Sequence, residues 1–216
     1  MPSRFFRLLL CLFVVVLPVA AHADSRPNTI MFFGDSLVAG YGLAREEALP
    51  AQVAAHLRGQ GYNVTVFNDG VSGDTTSGGR QRMDWALNRK NPDIVVLALG
   101  GNDLLRGIQP GLVLNNLEAM IKMLQARKIK VILVSMQAPS NYDAAYAADF
   151  NAIYPTLGGR YSVPVYPPFL QGIFGVPGYM LADGIHPNAH GVAYIAGHLG
   201  DYLASTKWLR KADDKK

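Results

Sequence analysis

Thr29-Ile30-Met31-Phe32-Phe33-Gly34-Asp35-Ser36-Leu37 is a β-rich apolar run that stops at a Gly-Asp-Ser turn. Five successive apolar or β-branched residues with no polar alternation suit a strand covered on both faces, the condition of a parallel sheet rather than a half-exposed antiparallel one. Similar runs recur at 63–67, 93–99, 130–135 and 163–166. Longer stretches with helical spacing separate them, at 49–58, 79–89, 112–127 and 144–158, and a last one covers 189–203. In the third of these, Val113, Leu117, Met120, Ile121 and Leu124 recur at steps of three and four. The alternation βαβαβαβαβα predicts an α/β domain with a doubly wound, five-stranded parallel sheet. In such sheets ligands gather outside the carboxyl ends of the strands, near the point where strand order reverses. Ser36 follows the first strand, residues 70–73 the second and residues 100–103 the third.

Outward from this core, the chain begins with Arg4 and Arg7, an apolar run over 8–21 and the small-residue end Ala21-His22-Ala23. This pattern predicts a secretory signal peptide over 1–23, because the run is shorter than the roughly 20 residues a membrane-spanning helix needs. Cys11, the one cysteine, lies inside it. The remaining chain suits one domain, expected over 24–206, that is held by packing without disulfides. The histidines outside the leader, His56, His186, His190 and His198, do not show metal-ligand spacing with nearby carboxylates, so no metal is expected. The formal charge of +4 resides at the ends: residues 24–206 carry 13 basic and 14 acidic side chains. A net of −1 there offers no basic face for nucleic acid. The segment 207–216 holds Lys207, Arg210, Lys211, Lys215 and Lys216 and is expected to be a frayed basic tail with weak attraction to anionic lipid at most.

Asp183-Gly184-Ile185-His186-Pro187 places a carboxylate and an imidazole within one turn of each other. Taken alone, it also reads as a turn followed by a helix start. Beside Ser36 it acquires chemistry, since a serine hydroxyl needs an imidazole to take its proton and a carboxylate to orient that imidazole. Acyl transfer needs donors for the developing oxyanion as well. Candidates are the backbone N–H of Gly73, the Asn102 amide in Gly100-Gly101-Asn102-Asp103, and the N–H of Ser36 at a helix start. Singly, each glycine loop also reads as a tight turn. Asp35 is expected at a helix start and Asp103 in a structural role. Gly-x-Ser-x-Gly is absent, which excludes the nucleophile elbow of the α/β-hydrolases.

Gly34-Asp35-Ser36-Leu37, the Gly73 loop, Gly100-Gly101-Asn102-Asp103 and Asp183-Gly184-Ile185-His186-Pro187, in that order, resemble the blocks of the SGNH or GDSL hydrolase family. The resemblance implies a three-layer, flavodoxin-like fold. It further implies Ser36 as nucleophile, Asp183 and His186 completing the triad, Gly73 and Asn102 in the oxyanion hole, and no cofactor. Leu105-Arg106-Gly107-Ile108-Gln109-Pro110 and Pro139-Ser140-Asn141-Tyr142 are similar to a periplasmic branch of that family with thioesterase, lysophospholipase and arylesterase activity. The implied substrates are small acyl esters, thioesters or lysophospholipids, handled by a monomer. An acyl chain requires an apolar trough, for which Leu37, Leu105, Ile108, Pro139, Tyr142, Phe169 and Phe174 are the candidates. Two other readings use the same residues: an esterase for O-acetyl groups on carbohydrate, and a non-catalytic binder at the glycine-rich strand ends.

Overall fold

Five parallel strands, β1 (Asn28–Gly34), β2 (Val64–Gly70), β3 (Ile94–Ala98), β4 (Lys130–Val134) and β5 (Val165–Tyr166), lie in the order β2-β1-β3-β4-β5. The computed structural model describes residues 26–212; the expected signal peptide lies outside them. Among the described residues seven α-helices connect or follow the strands: α1 (Ser36–Ala39), α2 (Leu49–Gly59), α3 (Thr76–Lys90), α4 (Gly101–Leu105), α5 (Pro110–Ala126), α6 (Ala144–Tyr161) and α7 (Ala189–Ser205), with a short 3-10 turn at Arg45–Glu47. α2 packs against α7, whereas α3 packs on α5 and α5 on α6, giving a helical layer on each face. This is the expected three-layer, doubly wound sheet. Its order reverses at β1, which lies between β2 and β3. Every residue of β3 is buried, and β1 is buried except at Thr29, as an apolar run in a central strand requires.

The differences from expectation have local causes. β2 continues past Phe67 through Asn68, Asp69 and Gly70, which pair with Phe32, Phe33 and Gly34. A parallel ladder uses backbone groups alone, and on an edge strand polar side chains such as the exposed Asn68 reach solvent. α3 starts earlier than expected because Thr75 caps it, its side chain accepting from the N–H of Gly78. Residues 207–212 pack against the domain where a frayed tail was expected to begin. Asn28 donates from Nδ2 to the Arg210 carbonyl at 3.2 Å and accepts from the Arg210 N–H at 3.2 Å. Ala212 N–H donates to Gly61 O at 2.8 Å, and Leu209 is buried. On the side of residues 207–212 these bonds are made by the backbone, which leaves no signature in the segment's side-chain composition, and this is why the basic segment read as solvated.

Candidate active site

β1 delivers Ser36 to the carboxyl rim through a constrained turn. A Cβ on Gly34 would fall 2.5 Å from Ala98 O and 2.5 Å from Val38 Cγ2, so only glycine lets β1 pass this close to β3 and α1. Asp35 then caps α1, accepting the Leu37 N–H at 3.0 Å, and Ser36 becomes its first residue, 9% exposed. The expected helix-start role of Asp35 is therefore what its geometry performs. Its carboxyl is nearly sealed from solvent, and burial pushes its pKa up to about 6 against the bonds from Leu37 and Asn102.

Asp183 and His186 come from the loop between β5 and α7. That loop folds on itself: Leu181 N–H donates to His186 O at 2.8 Å, Gly184 adopts a φ of +69°, and Met180 bridges Pro187. Oδ1 of Asp183 accepts the backbone N–H groups of Ile185 at 2.9 Å and His186 at 3.0 Å, while Oδ2 lies 2.7 Å from Nδ1 of His186. The turn and the carboxylate–imidazole contact thus coexist in one residue. The backbone bond from His186, its side-chain bond and the Ile185 N–H hold the Asp183 carboxyl down at about 2. Nε2 of His186 lies 2.8 Å from Ser36 Oγ. With Nδ1 protonated toward Asp183, Nε2 is the acceptor and the serine hydroxyl donates. Tyr41, which sequence reasoning did not single out, lays its ring 4.4 Å from the imidazole, tilted by 33°. Its position in a loop outside every motif gave no signal.

The two glycine-rich loops flank this chain. Gly73 has a φ of +81°, and its carbonyl accepts from Arg106 Nη2 at 2.9 Å, which fixes the peptide on either side. Asn102, at the start of α4, donates from Nδ2 to Asp74 O at 3.0 Å and makes a longer contact of 3.4 Å with Asp35 Oδ2. Arg82 ties the Gly73 loop to the end of β1, bonding Asp74 Oδ2 at 2.7 Å and Gly34 O at 3.0 Å with its guanidinium over the Phe33 ring. Asp103 accepts the Thr76 N–H at 2.8 Å and its hydroxyl at 2.7 Å in a fully buried cluster, the structural role expected of it.

A pocket of about 560 Å³ opens beside Ser36, His186 and Asn102. Of the seven side chains expected to form an acyl trough, Leu37, Leu105, Pro139, Tyr142, Phe169 and Phe174 line it. Ile108 does not. It follows α4, half-buried against the core, with its N–H bonded to Asp103 O and its carbonyl accepting the Tyr146 hydroxyl. Leu104, Met136, Ala138, Leu170 and Ile185 also line the pocket and were not anticipated, because they come together only once the loops after β3, β4 and β5 are folded. Gly73 stands in the neighbouring loop, outside the pocket wall.

A serine–imidazole–carboxylate chain at the switch point of a three-layer α/β sheet, with an apolar pocket beside the serine, defines a serine hydrolase of ester and thioester bonds. The chain belongs to the GDSL-like lipase/acylhydrolase family, whose pattern it matches over residues 32–194. It is 35% identical over 197 residues to an arylesterase of Vibrio mimicus, covering 91% of this chain and 97% of that one. It is 34% identical over 192 residues to the thioesterase 1/protease 1/lysophospholipase L1 of Escherichia coli (strain K12), covering 89% of each. Among solved structures, the crystal structure of TesA superposes with a TM-score of 0.78 at 35% identity, covering 82% of this chain and 99% of that one.

Proposed function

We propose that Ser36 attacks the carbonyl carbon of an acyl ester or thioester while His186 takes its proton, forming a tetrahedral intermediate that collapses to an acyl-enzyme. His186 then protonates the departing alcohol or thiol, and a water activated by the same imidazole releases the fatty acid. Asp183 holds the Nδ1–H tautomer and stabilises the transient imidazolium. The backbone N–H groups of Ser36 and Gly73 and the Asn102 amide receive the oxyanion. The contact between Asn102 and Asp35, long for a hydrogen bond, is the one an oxyanion would replace, whereas the 3.0 Å bond to Asp74 O keeps the amide aimed.

The observation that carries this reading is the unbroken chain Ser36 Oγ to His186 Nε2 at 2.8 Å and His186 Nδ1 to Asp183 Oδ2 at 2.7 Å, at the mouth of an apolar pocket. Acyl thioesters, lysophospholipids and aryl esters are the substrate classes, supported by the names of the relatives and by a lining richer in hydrocarbon than an acetyl group on a sugar requires. The enzyme acts after export to the periplasm, a reading supported by the leader pattern over 1–23. No helix among the described residues is long and apolar enough to cross a membrane. The test is hydrolysis of p-nitrophenyl butyrate and of a long-chain acyl thioester by Ser36→Ala and His186→Ala, with fluorophosphonate labelling of the wild type. Loss of turnover in both variants and labelling at Ser36 are expected; retention of full activity in both would overturn the mechanism.

A further inference from the structure

The end of the sheet opposite the catalytic rim, where β1, β3 and β4 begin, carries a second recess of about 360 Å³. Arg26, Arg127, Lys128, Lys130 and Arg210 all line it. Among the described residues, Asp93 is the one carboxylate in its wall, and it is already engaged, accepting from Thr29 N–H at 2.9 Å and Thr29 Oγ1 at 2.8 Å and pairing with Arg26 at 3.3 Å. Arg127 is bonded from outside by Asp84. Setting Asp93 and Asp84 against the five cations leaves about three positive charges in one concavity, on a chain whose residues 24–206 are otherwise close to neutral.

The arrangement depends on the docking of the last residues. The Asn28 side-chain amide, bonded to both the carbonyl and the N–H of Arg210, brings Arg210 beside the strand starts, and the Trp208 indole joins the wall with Lys130 Nζ 5.5 Å from its centroid. Nε and Nη2 of Arg210 are shielded from solvent and have no hydrogen-bond partner among the described residues. Buried guanidinium donors without acceptors are costly, and several of them beside two lysines match an oxyanion with many lone pairs and more than one charge. A single carboxylate would leave most of that charge unmatched.

We propose that this recess is a binding site for a phosphoryl group, carried by a soluble phosphate ester or by a phospholipid headgroup. It is independent of the hydrolase reading, since no residue of its wall touches the catalytic chain or the acyl pocket. The test titrates the purified protein with pyrophosphate by calorimetry and, in a second arm, sediments it with phosphatidylcholine vesicles with and without phosphatidylglycerol. Lys128→Gln combined with Lys130→Gln removes two exposed cations, of which Lys128 is clear of the docked segment and Lys130 reaches only the Trp208 ring; Arg210→Gln is the second variant. Pyrophosphate affinity or vesicle binding is expected to fall about tenfold or more in each variant, the loss of one charge-assisted contact or more. Hydrolysis of p-nitrophenyl butyrate should remain at the wild-type rate, which verifies folding. Pyrophosphate binding without vesicle binding identifies a soluble ester as the ligand; vesicle binding that requires the anionic lipid and is lost in the variants identifies a headgroup. The proposal is overturned if the wild type binds neither probe, or if the lysine double variant binds as the wild type does.

Discussion

Asp183 divides its two oxygens between two tasks, Oδ1 closing the turn through the Ile185 and His186 N–H groups and Oδ2 orienting the imidazole. Because those bonds hold its pKa near 2, it stays anionic through the whole range in which an imidazole titrates. Its contribution to stability is present above the ordinary carboxylate pKa and is lost as pH falls through about 2. Asp183→Asn keeps the shape but not the charge, and one of its amide ends must face a donor. The imidazole then loses its tautomer, so kcat should fall by roughly 100- to 10,000-fold with KM little changed, as steady-state kinetics on an aryl ester will read. An unaltered kcat would remove Asp183 from the mechanism. Asp35 has the opposite sign. Burial raises its pKa to about 6, so the folded state holds a proton that the unfolded chain has already released, and stability declines as pH rises from about 4 to 6. Asp35→Asn abolishes that decline. Its unfolding free energy from urea titration, relative to wild type, should therefore be more favourable at pH 7 than at pH 4 by an amount on the order of 2 kcal/mol, and an equal difference at both pH values would refute the assignment. Ser36, Asp183 and His186 were legible in the sequence because each stands in a short pattern whose residue types have few other uses together. Tyr41 was not, because its contact with His186 exists only across the fold.

At the scale of elements, the strand ends are set by backbone approaches that tolerate no side chain. Gly70 closes β2 against α1, and a Cβ there would lie 2.2 Å from Ala39 N and 2.6 Å from Ala39 Cα. Both obstacles are main chain, so they cannot swing aside. Gly70→Ala must therefore separate the end of β2 from α1, the helix whose first residue is Ser36. The expected cost is about 1–3 kcal/mol, as for other overpacked sites, or several degrees in Tm for a chain of this size. Calorimetry checks the stability loss, and turnover at a temperature where the variant is folded should also fall, since Ser36 moves with α1; a wild-type Tm would show that the contact relaxes freely. The same tightness explains what sequence patterns missed. α1 and α4 span four and five residues, barely one helical turn, and a single turn has no periodicity to detect. The longer elements were legible because α5 and α7 each complete several turns of an apolar stripe.

Across the whole molecule, the two ends of the sheet have different chemistry. The amino end gathers cations, while the carboxyl end gathers the Ser36 chain and an apolar pocket whose outer side chains Leu105, Phe174 and Ile185 remain 57%, 56% and 42% exposed. The five-stranded parallel sheet and the position of the rim follow from the sequence pattern and the family resemblance, but the pocket wall does not. Its residues come from five separate segments whose convergence depends on the irregular loop that follows β5, anchored by the buried Phe169 and Ile173. Such a wall predicts selectivity by length. Each methylene that moves from water into the pocket contributes about 0.8 kcal/mol, so kcat/KM for p-nitrophenyl esters should climb by up to roughly fourfold per methylene while the chain remains inside and then level off. Phe174 is an exposed part of the pocket wall, and a long acyl chain is expected to be what reaches it. Phe174→Ser should leave the acetyl ester unaffected and lower the long-chain esters severalfold, moving the plateau to shorter chains. A wild-type profile that is flat from acetyl to decanoyl would mean that the acyl group does not occupy this pocket, and an equal loss on every ester in Phe174→Ser would mean that the side chain supports the loop rather than the chain.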